Sequence, residues 1–357
     1  MNFTLFGYPK TGKTTLFNLL TGARIEVKAY EEGKKGEPNL RTCPLPDPRL
    51  DELAGFYPEK KKIPLHIDYL DLSGISFGEV KNSLYLSHLR KADSLIHVVR
   101  GFLDGQIPYP KKVGPKDDIA IMEDELILAD LVMVETRLEK LGKDLKKVKD
   151  PDAEKEYDLL GRLRPTLAEG KSLRGIALSG AEEKLLRSFA FLSLKPLLHM
   201  INIDEKDISA LDAPENLFGL SVGGREVMAF CGKIELEISE LAEDEERTFL
   251  AEYGIKELSA ARFLRAAPRL LETISFFTIG KDEVKAWAIK KNSTALKAAG
   301  AIHTDIEKGF IRAEVLSWEE FRRHGSHHAA KEKGSIRLEG KDYIVQDGDI
   351  IYFRFAQ

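Results

Sequence analysis

The chain has 357 residues, enough for two or three domains, and its 43% hydrophobic and 31% charged content excludes a natively unfolded polymer. With 54 Lys and Arg against 58 Asp and Glu the net charge is −4, so the chain is not a basic nucleic-acid coat, and any RNA contact falls to local patches. The two cysteines, Cys43 and Cys231, exclude a disulfide framework or a Cys-rich zinc site and suit a reducing cytoplasm, and no apolar run nears the roughly 20 residues that span a bilayer.

Residues 2–6, with apolar Phe3, Leu5 and Phe6, read as a strand; no basic stretch precedes them, so no signal peptide is expected. A Gly/Pro/Lys loop follows, then a helix from Thr15 that stops near Gly22. Residues 31–39 are charged and aperiodic and read as a loop. Ile63, Leu65, Ile67 and Tyr69 alternate as in one strand that ends at Asp71-Leu72-Ser73-Gly74. A helix is predicted over 79–91. Buried parallel strands are predicted over 94–99, 196–201 and 227–230, where the apolar runs are continuous. Strands alternating with helices predict a mostly parallel α/β sheet.

Between the first and second of these strands, Ile119, Met122, Leu126, Ala129 and Met133 are spaced 3, 4, 3, 4, and Leu138, Leu141, Leu145 and Val148 extend the stripe. This predicts a long amphipathic helix of coiled-coil character. Asp150-Pro151-Asp152 is a turn and helix start, and Leu159, Leu163 and Leu167 mark a return arm disturbed by Pro165. After a helix over 259–273, short strands punctuated by Gly280, Gly300, Gly309, Gly340 and Gly348 predict a small β-grasp-like or mixed α+β domain, closed by a strand over 349–355.

The sharpest motif is Gly7-Tyr8-Pro9-Lys10-Thr11-Gly12-Lys13-Thr14, a match to G-x-x-x-x-G-K-[ST] between a strand and a helix. Glycine lets the backbone bend around a phosphate, and the N–H groups of Gly7, Lys10, Thr11, Gly12, Lys13, Thr14 and Thr15 would form the cradle with the helix's positive end. Lys13 would reach the β- and γ-phosphates, and the Thr14 hydroxyl would ligate Mg²⁺. Asp71 and Gly74 match D-x-x-G: Asp71 would meet Mg²⁺ through water and the Gly74 amide the γ-phosphate. Asn202-Ile203-Asp204-Glu205 follows a buried strand, where a nucleotide base is read; N-x-x-E makes guanine selectivity doubtful, leaving ATP or GTP open.

The phosphate loop with Thr15-Leu16-Phe17-Asn18, Glu37-Pro38-Asn39, Pro46-Asp47-Pro48-Arg49-Leu50 and Asn202-x-x-Glu205 resembles the YchF subfamily of Obg-related P-loop NTPases. So do Ala298-Ala299-Gly300-Ala301-Ile302-His303-Thr304-Asp305, Glu307-Lys308-Gly309-Phe310-Ile311-Arg312-Ala313 and Gly340-Lys341-Asp342-Tyr343. The resemblance implies a Ras-like P-loop domain over 1–115 and 195–274, an inserted helical hairpin over 116–194 and a C-terminal β-grasp TGS domain over 275–357. It further implies slow Mg²⁺-dependent hydrolysis of ATP or GTP, and ribosome or RNA contact through the hairpin and TGS domain. The protein is expected to be a monomer.

Three departures bear on hydrolysis. Family members carry Asn at Lys10, where it helps hold a monovalent cation. Lys35 aligns with a switch Thr that ligates Mg²⁺, and an ammonium has no lone pair to offer. The segment after Gly74 is short, and Ile75 stands where Ras-like proteins place a catalytic Gln; an apolar side chain cannot orient the attacking water. Lysines 60–62, Lys111-Lys112 and the stretch from Arg322 through His324, His327, His328, Lys331 and Lys333 are local basic clusters, suited to phosphate contact or to a solvated face. His327 and His328 lack companion ligands for zinc.

Overall fold

The computed structural model describes residues 1–25, 38–75, 83–105, 107, 109, 111–220 and 226–356. Lys35 and the switch segment 76–82 lie outside the described residues. In chain order the elements used below are β1 (Asn2–Phe6), α1 (Lys13–Thr21), β2 (Asn39–Leu45), α2 (Pro48–Gly55), β3 (Lys61–Ile63), β4 (Leu65–Asp71), α3 (Ser83–Lys91), β5 (Ser94–Gly101), α4 (Pro115–Leu145), α5 (Pro151–Ala168), β6 (Leu197–Ile203), β7 (Glu226–Phe230), β8 (Thr273–Ile279), β9 (Glu283–Lys290), β10 (Phe310–Leu316), β11 (Arg337–Glu339) and β12 (Ile350–Phe355). They gather into two compact units, one of Met1–Arg41 with Asp68–Ala261 and one of Thr42–Ile67 with Arg262–Gln357.

The first unit is built on a sheet of order β2-β4-β1-β5-β6-β7. β1 runs parallel to both β4 and β5, and β6 runs parallel to β5 and β7. Every residue of β6 is buried, and in β5 all but Gly101. Continuous apolar runs of this kind belong to strands covered on both faces, which is why they show no alternation. Because the strands are parallel, β1, β4, β5 and β6 all deliver their carboxyl ends to one edge, where open α/β sheets bind ligands. This is the mixed α/β P-loop fold expected from the sequence.

The hairpin is present as α4 and α5, 31 and 18 residues long. Asp150 caps α5, accepting from the N–H groups of Asp152 and Ala153. The apolar stripe packs as Val134 and Leu141 of α4 against Leu159, Leu160, Leu163 and Leu167 of α5. Arg137–Glu156 at 2.6 Å and Arg164–Glu135 at 2.8 Å flank the seam. Pro165 sits in the last turn of α5, three residues before its end, so the helix gives up the bond its N–H would have made to the Gly161 carbonyl and ends soon after. At the base of the arm Asp130 is fully buried. It accepts from the Ser193 N–H and hydroxyl at 2.7 and 2.8 Å and pairs with Arg90 of α3 at 3.0 Å, so a buried carboxylate with all its donors supplied anchors the insert.

The second unit carries a mixed sheet of order β11-β10-β12-β8-β9-β3. Its pairs are antiparallel except β12 with β8 and β3 with β9. A helix at Ala295–Ile302 offers Ala295, Ala298 and Ala299 to Phe276, Val315 and Phe353, small residues that let it lie close to the sheet. α2 offers Leu50 and Leu53 to Phe277 and Val284.

The sequence pattern read 63–69 as one strand; the structure splits it into β3 and β4, in different sheets. Pro64 stands at the break. It has no N–H for a ladder and ends the pairing, so a run with the right period changes sheets. The Pro46-Asp47-Pro48-Arg49 motif has a structural use. Asp47 caps α2, accepting from Arg49 N at 3.0 Å, while the Arg49 guanidinium joins Asp47 to Asp347 and lies over Phe277.

Candidate phosphate-binding site

The loop that joins β1 to α1 is shaped by glycine at two points. Gly7 has φ 141°, and a Cβ there would stand 2.5 Å from the Val98 carbonyl oxygen. Gly12 has φ 95° and caps α1 with no side-chain acceptor, so the first N–H groups of the helix have no capping side chain. A Cβ on Gly12 would run into the Asn202 amide. Both positions are closed to any other residue by backbone conformation and by space together. Lys10 is held at φ 61°, the left-handed region, which favours Asn over Lys.

The loop's own side chains close it. Thr11 donates to the Tyr8 carbonyl at 3.1 Å, and the buried Lys13 ammonium donates to the same oxygen at 2.8 Å. Lys13 thus spans the loop in the position from which a phosphate oxygen would draw it. Thr14, one turn-residue later, donates from its hydroxyl to Asp71 Oδ2 at 2.9 Å. Asn39 donates its amide to the same oxygen at 3.3 Å. Asp71 is 4% exposed, at the carboxyl end of β4.

Beyond Asp71 the chain runs along the loop: Leu72 N bonds Leu5 O at 3.1 Å and Ile75 N bonds Gly7 O at 3.2 Å. Gly74 is needed because a Cβ would sit 2.5 Å from the Pro9 Cα. Ile75 is buried with Phe6, Tyr8, Leu72 and Leu89, so its side chain belongs to the core and faces no attacking water. On the other flank Asn202 donates to the Thr11 carbonyl at 3.2 Å and accepts from Gly232 N at 3.0 Å. Asn202 therefore ties the loop to the end of β6 and to the turn after β7. Thr15 packs at that turn, its methyl 3.1 Å from where a Gly232 Cβ would be. Glu205 starts a short 3-10 segment and pairs with Lys233, which neighbours Gly232.

The residues singled out from the sequence thus come together: Gly7, Lys10, Thr11, Gly12, Lys13, Thr14 and Thr15 in the loop, with Asp71, Gly74 and Asn202 against it. Glu205 is joined to the site's rim through Lys233. Three participants escaped the sequence: Asn39 as a donor to Asp71, Tyr85, whose hydroxyl accepts from Gly7 N at 3.4 Å, and His97 beneath the loop. Asn39 was visible only as part of a motif. Tyr85 left no signal, since a helix tyrosine does not announce what its hydroxyl meets. Burial and the charges of Asp71 and Glu125 push the Tyr85 hydroxyl far above its ordinary range, so it stays protonated.

The basic clusters are largely paired. Lys60 donates to the Gly280 and Lys281 carbonyls, Lys62 meets Asp51 at 2.6 Å, Lys111 meets Asp118 at 2.5 Å, Arg322 meets Glu52 and Arg323 meets Glu320. Among the described residues no three His, Cys, Asp or Glu gather as metal ligands, and no helix is long and apolar enough to cross a membrane.

Residues 2–136 match the MMR_HSR1 family, described as a 50S ribosome-binding GTPase, and residues 273–356 match YchF-GTPase_C, described as a protein of unknown function. The ribosome-binding ATPase YchF of Bacillus subtilis (strain 168) is 39% identical over 360 residues, 98% of each chain. The chain belongs to the YchF family. Obg-like ATPase 1 of Bos taurus is 33% identical, over 98% of this chain and 91% of its own. The solved structure of the Schizosaccharomyces pombe YchF GTPase superposes with a TM-score of 0.81 at 26% identity, covering 99% of this chain and 97% of that one. The YchF match spans both units, so the second sheet is part of the family's chain and not an appendage peculiar to this one.

Within this YchF chain the donor set fits a Mg²⁺–nucleotide. Mg²⁺ takes hard oxygen ligands and is commonly held by one or two protein groups plus substrate phosphates. The Thr14 hydroxyl and the buried Asp71 carboxylate, already 2.9 Å apart beside the start of α1, are such a pair.

Proposed function

We propose that this protein is a slow Mg²⁺-dependent nucleotide hydrolase, taking ATP or GTP, that associates with ribosomes in the cytoplasm. The single observation behind the reading is the closed set Lys13, Thr14, Asp71 and Gly74 around the loop of α1. Lys13 would balance charge on the terminal phosphates, and the Gly74 amide would stabilise charge that grows there as the bond breaks. Mg²⁺, held by Thr14 and Asp71, would supply Lewis-acid charge neutralisation. Asn202 would keep the loop in register while Glu205, exchanging Lys233 for a base edge, would bias base choice. We carry forward the division into a nucleotide domain over 1–115 and 195–274, a helical arm over 116–194 and a TGS domain over 275–357. Ribosome association is inferred from the relatives named ribosome-binding ATPase. RNA contact through the arm and the TGS domain and a monomeric state stand with it.

One observation favours a second reading, a nucleotide-binding module with vestigial chemistry acting as a ribosome or RNA adaptor. Ile75 is packed into the core, leaving nothing polar at that position to align water. Titration with ATP and GTP, followed by turnover with and without ribosomes, separates the two. Turnover that Lys13→Ala abolishes supports the hydrolase; tight binding without Lys13-dependent turnover supports the module. Where Lys10 replaces a monovalent cation beside the phosphates, turnover is insensitive to potassium, and a several-fold potassium stimulation excludes that role.

A further inference from the structure

Two histidines lie where two buried strands are most apolar. His97 of β5 and His199 of β6 are register partners, 0% and 1% exposed. Their Nδ1 atoms are 3.1 Å apart. His97 also lies directly under the phosphate loop: its ring is 5.2 Å from Phe6 and edge-on to Tyr8 at 6.5 Å, and its Cδ2 is 3.3 Å from where a Gly7 Cβ would stand. His199 faces the other way. Its Nε2 is 3.6 Å from Glu123 Oε1 of α4, an electrostatic rather than a hydrogen-bond distance. Arg174, beyond α5, approaches the same oxygen at 3.4 Å.

This geometry dictates where the protons sit. Two facing nitrogens 3.1 Å apart share one proton: two N–H groups would collide and two lone pairs repel. The Nε2 of His199 faces a carboxylate, so it carries a hydrogen, and in a neutral ring its Nδ1 is then the acceptor. His97 must therefore donate from Nδ1, which leaves its Nε2 a bare acceptor; that atom is buried and meets no hydrogen-bond partner among the described residues. The charged and titratable groups facing the pair are Lys13 and Tyr8 from the loop side and Glu123 with Arg174 from the helical arm. Burial, with His199 and Lys13 adding to it and Glu123 opposing, keeps His97 neutral.

We propose that His97 and His199 are positioning residues for the phosphate loop, fixed in the Nδ1–H and Nε2–H tautomers by Glu123, and that this line ties the loop to the base of the helical arm. The inference rests on the nucleotide-binding reading above only for its functional readout. The tautomers themselves are a property of the folded chain with or without nucleotide.

Imidazole nitrogen NMR on the full-length protein tests the tautomers directly. One neutral Nδ1–H ring and one neutral Nε2–H ring, neither titrating between pH 5.5 and 8 (the range around an ordinary imidazole), is expected. Two rings of the same tautomer, or either ring titrating near the ordinary value, overturns the proposal. For function, His199→Leu is compared with His199→Asn, whose side-chain oxygen can stand in for the lost Nδ1 acceptor. ATP affinity by fluorescence titration should fall about 10-fold in His199→Leu, the cost of orphaning a buried donor, and recover most of the loss in His199→Asn. Equal losses in both mean simple packing and overturn the positioning role, as does no loss in either. Glu123→Gln, which removes the anion without removing the side chain, should mix the two tautomers and weaken binding by a smaller factor; unchanged tautomers in that variant overturn the link to the arm. Lys13→Ala serves as the separate control: if it leaves ATP binding intact, the nucleotide reading fails while the NMR result stands.

Discussion

The phosphate side of the site and its base side are built in different ways. Around residues 7–14 the polar groups are buried or half-buried and bonded to one another: Lys13 and Thr11 share the Tyr8 carbonyl, Thr14 and Asn39 share Asp71, and Asn202 clasps Thr11. On the base side Glu205 is 40% exposed and, among the described residues, is paired with Lys233, which is 71% exposed. Buried, hydrogen-bonded polar groups are costly to disturb, whereas an exposed ion pair contributes little and reorganises freely. Under the proposed reading, phosphate recognition would belong to the fold's core and base preference to its rim.

That contrast can be tested from its strongest point outward. Lys13→Ala removes the one buried cation of the loop and should reduce ATP and GTP affinity together by about 100-fold or more, since charge-assisted contacts to phosphate run to several kcal/mol in a screened site; equal affinity of variant and parent would break the comparison outright. Asp71→Asn keeps the shape and the Thr14 contact but lowers the charge offered to Mg²⁺. Turnover should fall about 10-fold or more and the Mg²⁺ midpoint should rise, with nucleotide affinity in excess Mg²⁺ changed far less.

A third check uses pH. His97 is held well below the ordinary imidazole value of about 6.5, first by burial. In the unfolded chain it binds a proton below that pH while in the native state it does not. Its stabilisation is therefore complete above pH 6.5 and is lost as pH falls, by about 1.4 kcal/mol per unit until the folded value is reached. Chemical denaturation at pH 7.5 and 5.5 should show the loss, and His97→Leu should flatten it. The smallest effect belongs to the rim. Glu205→Gln should change the ratio of ATP to GTP affinity by only a few-fold and leave stability within about 0.5 kcal/mol, as for most exposed pairs. A large stability loss there would erase the distinction between core and rim.

Much of this was legible in the chain itself, because the relevant signals are local. A strand, a glycine loop with Gly7 and Gly12, and a following helix, read from Thr15 and found from Lys13, need only the order of residues to be recognised, and the 3, 4, 3, 4 spacing from Ile119 to Met133 encodes α4 in the same way. The strands over 94–99 and 196–201 were legible from unbroken apolarity, and the three departures at Lys10, Lys35 and Ile75 only against the family resemblance. What failed was non-local. The alternation across Ile63, Leu65, Ile67 and Tyr69 was real, yet Pro64 parts it between two sheets, and period alone does not say which neighbour a strand will pair.

By itself, then, the order of residues determined that this protein has a phosphate loop, a parallel α/β sheet and a helical hairpin, because each is specified by spacing along a short stretch. Only the tertiary structure decided which side chains meet at that loop: Asn39 on Asp71, Tyr85 on Gly7, and His97 with His199 beneath it, from positions up to 102 residues apart. Contacts of that kind are set by strand register and by burial, which the whole fold fixes at once and no local pattern contains.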